Sequence, residues 1–198
     1  TLEIRTAKAG NAARYWLLRY TRPLISDVRN VASGVQVSWD VPAYATGYKI
    51  YRATGSSSTW KQVKHETSGK TASWVDTKVT NGIKYRYKVK ALYGGEESPL
   101  TPEGHRYRVV RPAKFTAKST KARKLTAAWS VNTRATGYQL CYATNKSFSN
   151  SRTLNISGSS SKSKTITGLS RGKKYYVKVR ACKKVGKESY FSAWSAVK

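Results

Sequence analysis

The sequence predicts an all-β protein built as two tandem β-sandwiches of about seven short strands each. One observation behind this is a repeat at a constant offset of 90 residues. Trp39 recurs as Trp129, Ala45-Thr46-Gly47-Tyr48 as Ala135-Thr136-Gly137-Tyr138, and Tyr85, Val89 and Ala91 as Tyr175, Val179 and Ala181. A fixed period marks a modular array, and a unit of this length is a small domain able to bury its own modest core. A second observation is alternation of apolar and basic residues with period two, the signature of half-buried antiparallel strands. A third is turn chemistry between the alternating runs, at Gly55-Ser56-Ser57-Ser58, Asn81-Gly82, Gly94-Gly95, Gly158-Ser159-Ser160-Ser161 and Arg171-Gly172. No segment carries a 3.6-residue apolar period.

Taken in order, residues 1–22 are expected to be the end of a preceding similar domain and its linker. The stretch from Arg14 to Pro23 resembles the one from His105 to Pro112, both basic, aromatic and ending in proline. That sets the first module at 23–110 and the second at 111–198. In the first, Gly34 to Trp39 and Tyr48 to Arg52 alternate as strands. Trp74-Val75-Asp76 has no clean counterpart to Thr165-Ile166-Thr167 of the second copy. Tyr85 to Ala91 places Tyr85, Tyr87, Val89 and Ala91 on one face and Arg86, Lys88 and Lys90 on the other. In the second, Tyr175, Val177, Val179 and Ala181 face in, while Lys178 and Arg180 face out. Cys141 and Cys182 both fall outside the inward set.

The charge narrows the function classes. The chain has 38 Lys and Arg against 9 Asp and Glu. Residues 1–111 hold 19 basic and 8 acidic residues, and residues 112–198 hold 19 basic residues and the single acid Glu188. Such a field attracts polyanions or keeps a secreted protein soluble. The only histidines, His65 and His105, lie in no metal-spacing motif, and no P-loop, nucleophile elbow or dinucleotide fingerprint is present. With one carboxylate, the second copy cannot run paired-carboxylate chemistry. The chain is therefore read as non-enzymatic, with no catalytic, cofactor or metal residue. No apolar run reaches the ~20 residues that span a bilayer. The chain starts at Thr1 and contains no Met, which reads as a piece of a longer protein.

Each copy has a proline near its start (Pro23, Pro112), a tryptophan on the second strand (Trp39, Trp129), and a Gly-Tyr opening the third (Gly47-Tyr48, Gly137-Tyr138). A Tyr-x-x-x-Val-x-Ala strand follows. These landmarks, in order and twice, resemble fibronectin type III domains, immunoglobulin-like sandwiches. Val79 and Leu169, six residues before Tyr85 and Tyr175, resemble that family's tyrosine corner. The resemblance also implies that the strands carrying Cys141 and Cys182 are antiparallel neighbours, with the two thiols at opposite ends, about six residues apart at ~3.3 Å each. A bridge needs Cα atoms within ~7 Å, so two free thiols are expected. The repeat style further resembles domains of surface proteins of Gram-positive gut Firmicutes. That likeness implies an extracellular or cell-surface, monomeric binding module. It would adhere to a host protein or glycan such as an immunoglobulin or mucin. The alternatives are a basic spacer held against anionic cell-wall polymer, and an accessory domain of a secreted hydrolase. The surface context disfavours nucleic acid.

Candidate binding residues follow from charge and aromatics. Lys173, Lys174, Lys178, Arg180, Lys183, Lys184 and Lys187 lie on one strand and its following loop, and are expected to form a stripe along one outer face, with Tyr176 and Trp194 interleaved. Phe191-Ser192-Ala193-Trp194-Ser195 is similar to the Trp-Ser-x-Trp-Ser motif of cytokine receptors. That similarity implies stacking of Trp194 on Lys178 and Arg180, in a mainly structural role. Trp60, before Lys61-Gln62-Val63, marks an exposed strand edge open to a partner chain.

Overall fold

A computed structural model describes residues 21–198, so the proposed preceding tail and linker lie almost wholly outside the described residues. The described residues form fifteen strands and no helix. The chain divides into two compact units, one centred on each sandwich.

The first sandwich comprises β1 (Ile25–Asn30), β2 (Val35–Trp39), β3 (Gly47–Thr54), β4 (Lys61–Glu66), β5 (Ser73–Asp76), β6 (Lys84–Tyr93), β7 (Glu96–Glu97) and β8 (Gly104–Tyr107). One sheet has the order β1-β2-β5 and the other β4-β3-β6-β7, with β8 also on β6. The second sandwich comprises β9 (Phe115–Lys121), β10 (Lys124–Trp129), β11 (Gly137–Ala143), β12 (Arg152–Ser157), β13 (Ser163–Ile166), β14 (Tyr176–Val185) and β15 (Glu188–Phe191). Its sheets run β9-β10-β13 and β12-β11-β14-β15, the same order strand for strand. The first sandwich has one strand more than expected because its last strand is split into β7 and β8. Pro99 and Pro102 fall in the gap, and a proline has no N–H to give a ladder.

Alternation decides what is inside. On β6 the odd positions Tyr85, Tyr87, Val89 and Ala91 are buried and the basic residues between them are not. On β14, Val177, Val179 and Ala181 do the same. Trp39 meets Tyr48 with ring centroids 5.2 Å apart, and Trp129 meets Tyr138 at 5.4 Å. Each tyrosine hydroxyl then donates to a carbonyl 21 residues on, Tyr48 to Gly69 and Tyr138 to Ser159, so the polar tip of a buried ring is satisfied. The tyrosine corner is present in the second sandwich, where the Ser170 N–H donates to the Tyr175 hydroxyl at 3.0 Å.

Three expectations change. Trp74-Val75-Asp76 does have a counterpart: β5 and β13 lie exactly one repeat apart, with Asp76 and Ile166 both buried. The likeness was hidden because one sandwich buries a carboxylate where the other buries an alkyl chain. Asp76 is 2% exposed and accepts from Arg52 Nη1 at 2.8 Å and from the Tyr87 hydroxyl at 3.1 Å. Burial, with the Asp76 charge second, pushes the Tyr87 phenol far up. Next, Cys141 is buried, although its ladder position faces outward. An aromatic and cationic layer covers that face, as described below. Finally, Cys141 lies opposite Lys178 and Cys182 opposite Gly137, so the thiols are four ladder steps apart rather than six. Both are free.

Candidate functional site

Strand β14 and its partners organise the outer face of the second sandwich. Gln139 and Cys141 on β11 stand opposite Arg180 and Lys178 on β14. Neither cation is left to solvent. Lys178 Nζ lies 3.9 Å from the Phe148 ring centroid and 4.9 Å from that of Trp194. Arg180 Cζ lies 3.9 Å from the Phe191 centroid and 4.4 Å from that of Trp194. The Arg180 guanidinium also donates through Nε and Nη2 to Gln139 Oε1, at 2.8 and 2.6 Å. Burial pulls its pKa down from the ordinary guanidinium value, a measure of the water these rings displace. The stacking implied for Trp194 is thus present. Phe191, the first aromatic of the motif, and Phe148, outside it, extend the stack into a ladder.

The serines of the same motif close the strand. The Ala181 N–H donates to Ser192 Oγ and the Val179 N–H to Ser195 Oγ, each at 3.0 Å. In the first sandwich Ser98 Oγ and Thr101 Oγ1 accept from the N–H groups of Ala91 and Val89 in the same way. Glu97-Ser98-Pro99-Leu100-Thr101 is therefore the counterpart of Phe191-Ser192-Ala193-Trp194-Ser195. The first sandwich uses charge where the second uses rings. Lys49 and Lys90 both pair with Glu97, at 2.5 and 3.1 Å. Two further cations of β6 stack on Trp60, with Lys88 Nζ 4.6 Å and Arg86 Cζ 5.2 Å from its ring centroid, and Arg86 also pairs with Glu103 at 3.0 Å. Trp60 precedes the edge strand β4, as expected, and its ring is engaged by these cations.

The Lys49 and Lys90 contacts hold the Glu97 carboxyl below its ordinary value of 4.5. A carboxylate with a depressed folded value contributes stability that is complete above the unfolded value and is lost as pH falls through the folded one. The first sandwich should therefore lose a modest part of its stability as pH drops below about 4.5. Glu97→Gln should shrink that loss in thermal unfolding at pH 3 against pH 7. An unchanged pH dependence would remove the pair from the account.

The remaining predicted residues do not make one stripe. Lys173 and Lys174 lie in the turn before β14, with Lys174 Nζ 5.4 Å from the Tyr176 ring centroid. Alternation turns Lys183 away from Lys184, and its Nζ donates to the Arg134 carbonyl at 3.3 Å. Lys184 and Lys187 belong to the hairpin between β14 and β15 and are exposed. They border a cleft of about 510 Å³ over the start of β11, with Gln139, Asn155, Cys182, Ser189 and Phe191 among its lining. Among the described residues no cluster of three or more His, Cys, Asp or Glu could hold a metal ion.

Residues 110–198 match the family model of the fibronectin type III domain. An amylopullulanase of Thermoanaerobacter thermohydrosulfuricus is 36% identical over 86 residues, 42% of this chain and 6% of that protein. An amylopullulanase of Thermoanaerobacterium saccharolyticum is 38% identical over 68 residues, 34% of this chain and 5% of that protein. The chain thus spans only a small part of the length of the curated relatives it matches. Among solved structures, a two fibronectin type III domain segment from chicken tenascin is similar over 90% of this chain and 99% of its own, with 17% identity and a TM-score of 0.42. The segment 110–198 is a fibronectin type III domain, and the fold of the chain is the fibronectin type III fold.

Proposed function

We propose that this chain is a non-catalytic accessory module of a larger secreted bacterial enzyme acting on a polysaccharide. The observation that carries it is that both curated relatives are amylopullulanases and match over only 5–6% of their length. In such a protein the matched stretch is one small piece of a long chain, and the chemistry in the name needs more chain than that piece. A rigid sandwich with short loops suits spacing or presentation more than catalysis. Adhesion to an immunoglobulin or mucin, expected from surface-protein likeness, has no such relative behind it and stands second.

An antibody raised against residues 23–198 tests this on culture supernatant of the source bacterium. The band it recognises should also clear an α-glucan, the substrate class suggested by the relatives' name, in an activity gel. Recognition of a wall-bound band without hydrolytic activity would overturn the proposal and restore the adhesin.

A further inference from the structure

The cleft over the start of β11 has a twin. A smaller one, about 290 Å³, lies over the start of β3 and is lined by Thr46, Gly47, Lys49, His65, Leu92 and Glu97 among others. The backbone builds both in the same way. A glycine lines the floor of each, at a position with no room for a side chain: a Cβ on Gly47 would stand 2.4 Å from the Glu66 carbonyl oxygen and one on Gly137 2.3 Å from that of Ile156. The preceding threonine pins the hairpin that forms one wall. Thr46 Oγ1 donates to the Leu92 carbonyl and accepts from the Gly94 N–H, at 3.1 and 3.2 Å. Thr136 Oγ1 donates to the Cys182 carbonyl and accepts from the Lys184 N–H, at 3.3 and 2.8 Å.

The two clefts differ in charge and size. In the first, Glu97 stands opposite Leu92 and pairs with both Lys49 and Lys90, offsetting one of their two charges. In the second, the ladder pairs Cys182 with Phe191, so the hairpin is four residues longer and an aromatic ring takes the place of the carboxylate. The added length brings Lys184 and Lys187 to the rim, and no carboxylate lines the cleft. The one acid of this half, Glu188, accepts from the Tyr190 hydroxyl. On the opposite wall Gln139 Nε2 donates to Asn155 Oδ1 at 2.9 Å, which fixes an amide pair beside the Ser157 hydroxyl.

We infer that this cleft binds an anionic polysaccharide, one sugar unit seated on the Gly137 floor. Lys184 and Lys187 take its sulfate or carboxylate, Asn155 and Ser157 its hydroxyls, and Phe191 an apolar ring face. A pinned wall means that little ordering accompanies binding. The site stands independently of the enzyme that carries the chain.

Dextran sulfate is the probe, titrated into the whole 198-residue chain at fixed salt, with uncharged dextran and polyphosphate beside it. Lys184→Gln with Lys187→Gln should weaken dextran sulfate binding about ten-fold or more, as expected for two lost charge-assisted contacts. Lys162→Gln with Lys164→Gln, the same charge change on the other sheet, should weaken it by no more than about two-fold, the effect of net charge alone. Asn155→Leu leaves the charge untouched and should cost about three-fold or more, the scale of one lost neutral hydrogen bond. Absence of binding overturns the inference. So does equal weakening by the two lysine pairs, polyphosphate binding as tightly per charge, or an unaffected Asn155→Leu.

Discussion

Replacing Asp76 with alanine is expected to cost the first sandwich about 3–5 kcal/mol, the range for a buried pair that loses one partner. The second sandwich should keep its stability. The carboxylate is almost fully buried, and it is the acceptor for both the Arg52 guanidinium and the Tyr87 hydroxyl. Arg52 also lies 5.3 Å from the Tyr85 ring centroid, so it cannot swing out to water without giving up that contact. Without the carboxylate, the Tyr87 hydroxyl in the core and the Arg52 guanidinium both lose their charged acceptor. The second sandwich shows an alternative. At the three equivalent positions it has Tyr142, Val177 and Ile166, all buried, with Tyr142 opposite Val177 as Arg52 is opposite Tyr87. Importing that set as Arg52→Tyr, Asp76→Ile and Tyr87→Val should recover most of the loss, since an apolar set of matched shape often replaces a buried ion pair at little cost. Scanning calorimetry of the whole chain reads this as movement of one unfolding transition. A triple variant no more stable than Asp76→Ala would show that the surroundings of the two sites are not interchangeable.

The inward faces were legible because period two leaves little choice. On β6 Tyr85, Tyr87, Val89 and Ala91 are buried, and on β14 Val177, Val179 and Ala181; Tyr175, sent inward by the same alternation just before β14, is half-buried. The pairings at the rim were not legible, and the reason is the longer hairpin. The offset of 90 holds through β14, then becomes 94, so Glu97 and Phe191 never align in a fixed-period comparison. Matching Ser98 and Thr101 to Ser192 and Ser195 by their shared spacing would have found them. Phe148 gave no signal at all. It lies in an irregular loop with a positive φ of 59°, and only the folded chain shows it over Lys178. Asp76 hid the match between β5 and β13, because Ile166 stands at its position in the second sandwich. The partner of Asp76, Arg52, lies on β3 of the facing sheet, so only the folded chain shows that the carboxylate is held inside the sandwich.

The ladder supports the second largest expected effect and separates structure from binding on this face. Trp194→Ala should lower the stability of the second sandwich by about 2–3 kcal/mol. Two stacked cations contribute roughly 0.5–1 kcal/mol each when exposed, more when desolvated, and loss of the buried part of the indole supplies the rest. Trp194→Leu copies Leu100 of the first sandwich. It keeps apolar cover without a π face, so it should cost about half as much; a leucine variant as stable as the parent would mean that cover alone matters. Urea unfolding followed by circular dichroism gives both numbers. The same logic divides the lysines. Lys178 is held between Phe148 and Trp194, so Lys178→Gln should lower stability and leave dextran sulfate affinity within about two-fold of the parent, the effect of net charge alone. Among the described residues Lys184 and Lys187 hold no ring or carboxylate, and their replacement should do the reverse. If Lys178→Gln instead weakened binding as strongly as the rim lysines, the stacked cations would be part of the binding surface, and the basic stripe first read from the sequence would be its true extent.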